Sequence, residues 1–405
     1  GNYLGKAGLA DHIGWFYSMQ GIVSIFMPAI IGIIADKFIP AQKVLSICHG
    51  IAGLAMLAAG YYCMSAGSDV GFGALFSLYG VSVAFYMPTI ALSNSVAYNI
   101  LESNGYDTVK DFPPIRVFGT VGFICSMLFV NFMRDSDGVQ FQSTYWQFVT
   151  SGVLGLVLMV YAMTLQNCPV KASKEHKSLA EALGLKAFTL FKDRQMAVFF
   201  IFSMLLGVAL QITNGYANPF ITSFKAMPEY AGTFGAENAN ALISISQVSE
   251  TLGILLIPVC LRKLGIKKVM LIAMLAWFFR FGLFGAGNPG PGVWMFILSM
   301  IVYGVAFDFF NISGSLYVNE RTTEDIRSSA QGLFMLMTNG IGASIGMIGA
   351  QAVVNHFTHA SEVDGVFYTV GDWSAAWYVF AVYALVVAIL FAIFFKDPKR
   401  TTQYN

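Results

Sequence analysis

Residues 373–395 read WSAAWYVFAVYALVVAILFAIFF, twenty-three positions without an Asp, Glu, Lys or Arg. A helix rises about 1.5 Å per residue, so this stretch alone covers the ~30 Å of hydrocarbon in a bilayer. It is not an isolated case. Of 405 residues 56% are hydrophobic and only 11% charged, against roughly 25% charged in an ordinary soluble domain. A water-soluble fold with that composition would display more apolar surface than solubility tolerates. Disorder is excluded by the 36 Phe, 18 Tyr and 6 Trp. A net charge of +1 without a basic block gives no footprint for nucleic acid. The five cysteines are scattered without CxxC or metal-ligand spacing and read as small core residues.

Seven further charge-free stretches each hold one expected span: His12 to Ala35, Val44 to Ser68, Val70 to Leu101, Val117 to Met133, Gly138 to Val170, Gln195 to Phe224 and Ser328 to Ser361. Three more carry a single charge: 239–261 with Glu250, 269–287 with Arg280 and 293–318 with Asp308. Eleven transmembrane helices are therefore expected. The loops on one side hold 18 Lys and Arg, whereas the other side holds only Lys6, Arg134 and Lys225. Positive charge marks the cytoplasmic face, which places the carboxyl-terminal tail inside and residue 1 outside. An additional helix is expected before residue 1, giving twelve spans in the full protein.

Twelve spans divided six and six by the longest inner loop is the major facilitator pattern. It predicts an all-α membrane protein of two pseudo-symmetric bundles, 1–166 and 195–396. A cytoplasmic linker, 167–194, joins them, and 397–405 forms the tail. The linker follows Lys171, Lys174, Glu175 and Lys177 with Leu179, Leu183, Leu185 and Phe188, the loose spacing of an amphipathic helix on the inner leaflet.

An ionised side chain at a helix centre costs about 2.5–3.5 kcal/mol, so the charges kept inside spans need a reason. Glu250 and Asp308 lie deep in their spans and point to a wet substrate or ion pathway, with a structural ion pair as the alternative. Arg280, set in Trp277-Phe278-Phe279-Arg280-Phe281, reads as a packing or counter-charge residue. Side chains three, four or seven apart share a helix face. Arg116, Thr120 and Phe123 do so; so do Gln211 with Asn214, Gln247 with Glu250, Tyr303 with Phe307, and Asp308 with Asn311. Any one amide can simply bridge two helices. Together these faces offer amides, rings, one cation and two carboxyls, a set suited to a small neutral ligand with a flat part and several hydroxyl or imide groups. Pro28, Pro88, Pro219 and Pro258 fall inside spans, where proline frees a carbonyl and permits a kink. His356 and His359 read as a solvated pair rather than a metal site.

The run Asp111-Phe112-Pro113-Pro114-Ile115-Arg116-Val117-Phe118-Gly119-Thr120 resembles the bacterial nucleoside:proton symporters of the major facilitator superfamily. The resemblance extends over Ile201 to Gly207 with Gln211 to Asn214, over Ser244 to Glu250, over Tyr303 to Gly314, and over Ser329 to Gly332. Gly32 to Lys37 resembles the superfamily's cytoplasmic signature, which implies a gating or structural role for Asp36 and Lys37; Arg280 and Asn311 are likewise expected to be gating or structural residues, apart from that resemblance. The departure is the amino terminus, where the family's first helix is absent.

The resemblance implies import of a nucleoside such as uridine or adenosine with a proton, by alternating access, across the bacterial inner membrane. No cofactor is expected beyond the coupling ion, and the chain is expected to be a monomer in the bilayer. Arg116, Thr120, Phe123, Gln211, Asn214, Gln247, Glu250, Tyr303 and Phe307 would line the nucleoside cavity, and Asp308 with Glu250 would serve proton coupling. Hydropathy alone puts Arg116 near the cytoplasmic interface; the resemblance moves it inward. The competing readings are a transporter or passive facilitator for another polar solute, such as a sugar or nucleobase, and an intramembrane enzyme. The enzyme lacks support, since no HExxH, no GxSxG and no mid-span histidine supplies a base or metal site.

Overall fold

The computed structural model describes residues 1–106, 108–169, 185–322, 324–363 and 366–396. Its helices, after short turns at the amino end, are α1 (Ile13–Lys37), α2 (Ala41–Ala66), α3 (Phe72–Ser103), α4 (Thr108–Phe132), α5 (Trp146–Thr164), α6 (Arg194–Leu210), α7 (Ile212–Ser223), α8 (Ala239–Leu264), α9 (Ile266–Ala286), α10 (Val293–Arg321), α11 (Glu324–Met335), α12 (Ala343–Phe357) and α13 (Trp373–Phe394). In hydrocarbon each backbone N–H and C=O must be satisfied within its own segment, which is why these apolar runs take up helix and not open sheet. Ten helical stretches among the described residues are long and apolar enough to cross a membrane. The eleventh expected span corresponds to Val117–Phe132 of α4, a shorter apolar helix.

Two spans are not the uninterrupted helices expected. The span Arg194–Ala226 breaks at Gln211, between α6 and α7. The span Ala330–Phe357 contains a π-helical turn, Leu336–Gly342, between α11 and α12. The two irregularities meet: a Cβ on Gly207 would run into the Thr338 backbone, and one on Gly342 into the carbonyl of Met204. Backbone packed on backbone at this distance leaves no room for side chains, and the local windings adjust around it.

Two other glycine contacts set the helix order. Gly53 of α2 lies against Gly152 and Gly155 of α5, and Gly253 of α8 lies against Gly304 of α10. Such small-residue crossings substitute for the hydrophobic drive that is absent between helices in lipid. The prolines expected inside spans are all helical, at Pro28, Pro88, Pro219 and Pro258.

One antiparallel hairpin, β1 (Thr358–Val363) and β2 (Val366–Gly371), joins α12 to α13. The span expected to reach Ser361 therefore ends at Phe357, and Thr358 to Ser361 belong to β1. His356 and His359 are both exposed, the first at the end of α12 and the second in β1. Among the described residues no group of three or more His, Cys, Asp or Glu could hold a metal ion. Most of the expected amphipathic linker helix lies outside the described residues; at its end, Leu185–Lys192 forms a 3-10 helix.

Candidate functional site

The Gly253–Gly304 contact brings α8 and α10 together one turn from three candidate side chains. Glu250 precedes Gly253 by one turn, Tyr303 adjoins Gly304, and Asp308 follows it by one turn. The Ser249 hydroxyl donates to the carbonyl of Ile301 and locks this register. As a result the Glu250 carboxylate lies close enough to Asp308 and Tyr303 to interact electrostatically with both. Glu250 is half-buried, whereas Asp308 is 6% exposed and its Oδ2 has no hydrogen-bond partner. Asn311, expected on the same face, likewise has a buried Oδ1 without a partner. Buried polar atoms are nearly always paired, and these two exceptions lie one turn apart on α10.

The Tyr303 and Phe307 rings stack at 5.5 Å between centroids and 17° between planes. Tyr303 is 5% exposed and Phe307 only half-buried, so Phe307 is the ring that presents a surface. On the α6–α7 break the Asn214 amide donates to Gln211 Oε1 at 2.9 Å, and Asn214 is exposed. Gln247 is half-buried one turn before Glu250.

On α4, which packs against α8, Thr120 is half-buried and Phe123 is 52% exposed. Neither is joined by a hydrogen bond to the carboxylate group. The side chains of Arg116, Asp36 and Lys37 lie outside the described residues. Arg280 is buried at 2% exposure in the central part of α9, closer to the middle of that helix than to its Ala286 end.

The family model described as "Nucleoside H+ symporter" matches residues 1–400. The chain belongs to the nucleoside H+ symporter family. It is a multi-pass membrane transporter with the major facilitator fold, moving nucleosides with protons by alternating access, and is not an enzyme. It is 46% identical over 394 residues to xanthosine permease of Escherichia coli, covering 96% of this chain and 89% of that one. It is 43% identical over 385 residues to the E. coli nucleoside permease NupG, with 95% and 87% covered. The crystal structure of nucleoside transporter NupG superposes with a TM-score of 0.85 at 41% identity, over 98% of this chain and 95% of that one. An inward-open structure of the E. coli xylose transporter XylE gives a TM-score of 0.65 at 13% identity, a likeness of fold alone.

The symporter is clasped at one end. Asn131, at the end of α4, donates to Asn238 at 2.9 Å, and Gln140 donates to the Glu237 carbonyl at 2.9 Å. Asn218 of α7 donates to Gln142 at 3.1 Å. Gln351 of α12 accepts from the Gly14 backbone and donates to the Ala10 carbonyl, and Ser344 donates to the Ser18 carbonyl. Each of these bonds joins the chain before residue 165 to the chain after residue 193. Most of the donors lie near the Lys/Arg-poor end, where Lys225 also pairs with Glu237 at 2.9 Å. Burial and the neighbouring Lys225 hold the Lys6 ammonium below its ordinary value there.

At the Lys/Arg-rich end three polar contacts lie near the two ends of the linker. Gln42 donates to Asn167, Asn104 to Gln166, and Arg321 pairs with Asp193. Sequence reading missed this clasp. Its only local trace is Asn and Gln clustered near helix ends, a pattern that turns and caps share.

Proposed function

We propose that this symporter imports nucleosides such as uridine and adenosine across the bacterial inner membrane, with Asp308 carrying the coupling proton. The single observation behind this reading is the Asp308 carboxyl. One of its oxygens is buried without a partner, within electrostatic reach of the half-buried Glu250. A carboxyl in such a place has an energy set by whether it holds a proton, and the neighbouring carboxylate links that proton to the ligand it binds.

In this reading Phe123 and Phe307 offer ring faces to the base, with Tyr303 backing Phe307. Gln211, Asn214 and Gln247 bond base edges or ribose hydroxyls, Glu250 binds the ribose, and Arg116 and Thr120 complete the wall from α4. Asp36 and Lys37 would act in gating, and Asn311 would hold the helix face next to Asp308. Residues 1–166 and 195–396 move as two bundles joined by the linker 167–194, with the tail 397–405 in the cytoplasm and the chain acting as a monomer. The clasped Lys/Arg-poor end is then the outer end.

A neutral nucleoside with one proton moves one charge, worth about 2.3 kcal/mol per 100 mV and hence about fifty-fold accumulation. The test is competition against labelled uridine uptake by adenosine, inosine, ribose and uracil. Both other nucleosides compete, while ribose and uracil alone do so weakly. Ribose or uracil competing as well as a nucleoside would transfer the reading to a sugar or nucleobase carrier.

A further inference from the structure

The buried guanidinium of Arg280 has no part in the reading above, yet it lies directly behind the rings. Its carbon sits 4.5 Å from the centroid of Tyr303 and 5.4 Å from that of Phe284. One of its nitrogens donates to the Ser299 carbonyl at 2.7 Å, and the Ser299 hydroxyl returns a bond to the Arg280 carbonyl at 2.9 Å. Trp277 closes the arrangement with its ring edge-on to Tyr303 at 6.0 Å and 89°. A ladder therefore runs Phe284, Arg280, Tyr303, Phe307, and only its last member presents a surface.

Stability alone does not call for a cation here. A buried charge loses its hydration, and a methionine of similar volume would fill the same space without that cost. A desolvated cation over a ring face is attracted to it and restricts how the ring can tilt or slide. Tyr303 in turn fixes Phe307 through the stack four residues along the same helix.

We propose that Arg280 is a positioning residue for nucleoside recognition, holding the Tyr303–Phe307 pair at the angle on which the base stacks. The proposal rests on the placement of those rings in the nucleoside site. Arg280 touches no ligand and acts through Tyr303.

The experiment is titration of purified full-length protein with uridine, for wild type, Arg280→Met, Tyr303→Leu and the double variant. Each single substitution weakens uridine about tenfold, and the double weakens it no further than the worse single, because both remove one coupled unit. Losses that multiply to about a hundredfold in the double variant would overturn the proposal while leaving the site intact. Wild-type affinity in Tyr303→Leu would instead overturn the site reading itself. Should Arg280→Met fail to fold, Phe284→Leu frees one side of the guanidinium and keeps its charge. It weakens uridine about threefold, and unchanged affinity there overturns the proposal.

Discussion

Among single residues, charge is what the sequence makes visible. Glu250 and Asp308 stand out because a carboxylate in an apolar run is expensive, and the structure places both on facing turns of neighbouring helices. Their partners were not legible, since the registry between α8 and α10 depends on the Gly253–Gly304 contact, 51 positions apart in the chain. The same limit applies to Arg280, whose aromatic neighbourhood was readable but whose stacking on Tyr303 was not. Phe307 was grouped with Tyr303 by spacing alone, and only burial separates the ring that is presented from the one behind it.

Two outcomes belong at this scale. Glu250→Gln keeps the shape and removes the charge that accepts hydroxyl hydrogen bonds. Its uridine affinity falls about ten- to 150-fold by titration, in line with ~1.5–3 kcal/mol for a hydrogen bond to a charged group. Unchanged affinity removes Glu250 from the site. Phe307→Ala strips the presented ring and weakens uridine by about five- to 150-fold, the range of ~1–3 kcal/mol for a base stacked on an aromatic side chain. Ribose competition should barely change in that variant, since it carries no base to stack.

For the helices, hydropathy located the spans but not their defects. The break at Gln211 has no proline beside it, and the π turn at Leu336–Gly342 shows only two glycines in its local sequence, with nothing to say what they pack against. Both arise where Gly207 and Gly342 let two backbones touch, a contact between segments about 130 residues apart. The hairpin between α12 and α13 was equally hidden, because Thr358 to Gly371 is short and mixed in polarity. Gly304 carries a testable consequence. A Cβ there would collide with the Ser249 backbone, so Gly304→Val forces α8 and α10 apart. Overpacking of that kind costs about 1–3 kcal/mol. The variant should melt several degrees lower in detergent and lose uridine binding, because Glu250 and Asp308 separate. A wild-type melt with wild-type binding would show that the crossing is not what sets the site.

Across the whole molecule, the composition settled the membrane class and the charge asymmetry gave a sidedness. What it could not give is the conformational state, which depends on which end is tied together. The ties are largely uncharged amides, each worth about 0.5–1.5 kcal/mol net, so several are needed to hold a state and none is hard to release. A bifunctional thiol reagent joining Asn131→Cys to Asn238→Cys should therefore stop uptake, and reversal of the link should restore it. Uptake that continues through the cross-link would show that this end never opens.

The measurement closest to the centre of the mechanism is accumulation of labelled uridine in energised vesicles by Asp308→Asn. With the proton carrier gone, uridine should reach the external concentration and no more, while exchange of internal for external uridine continues. Accumulation at the wild-type ratio, abolished as usual by a protonophore, would mean that the proton travels by another group.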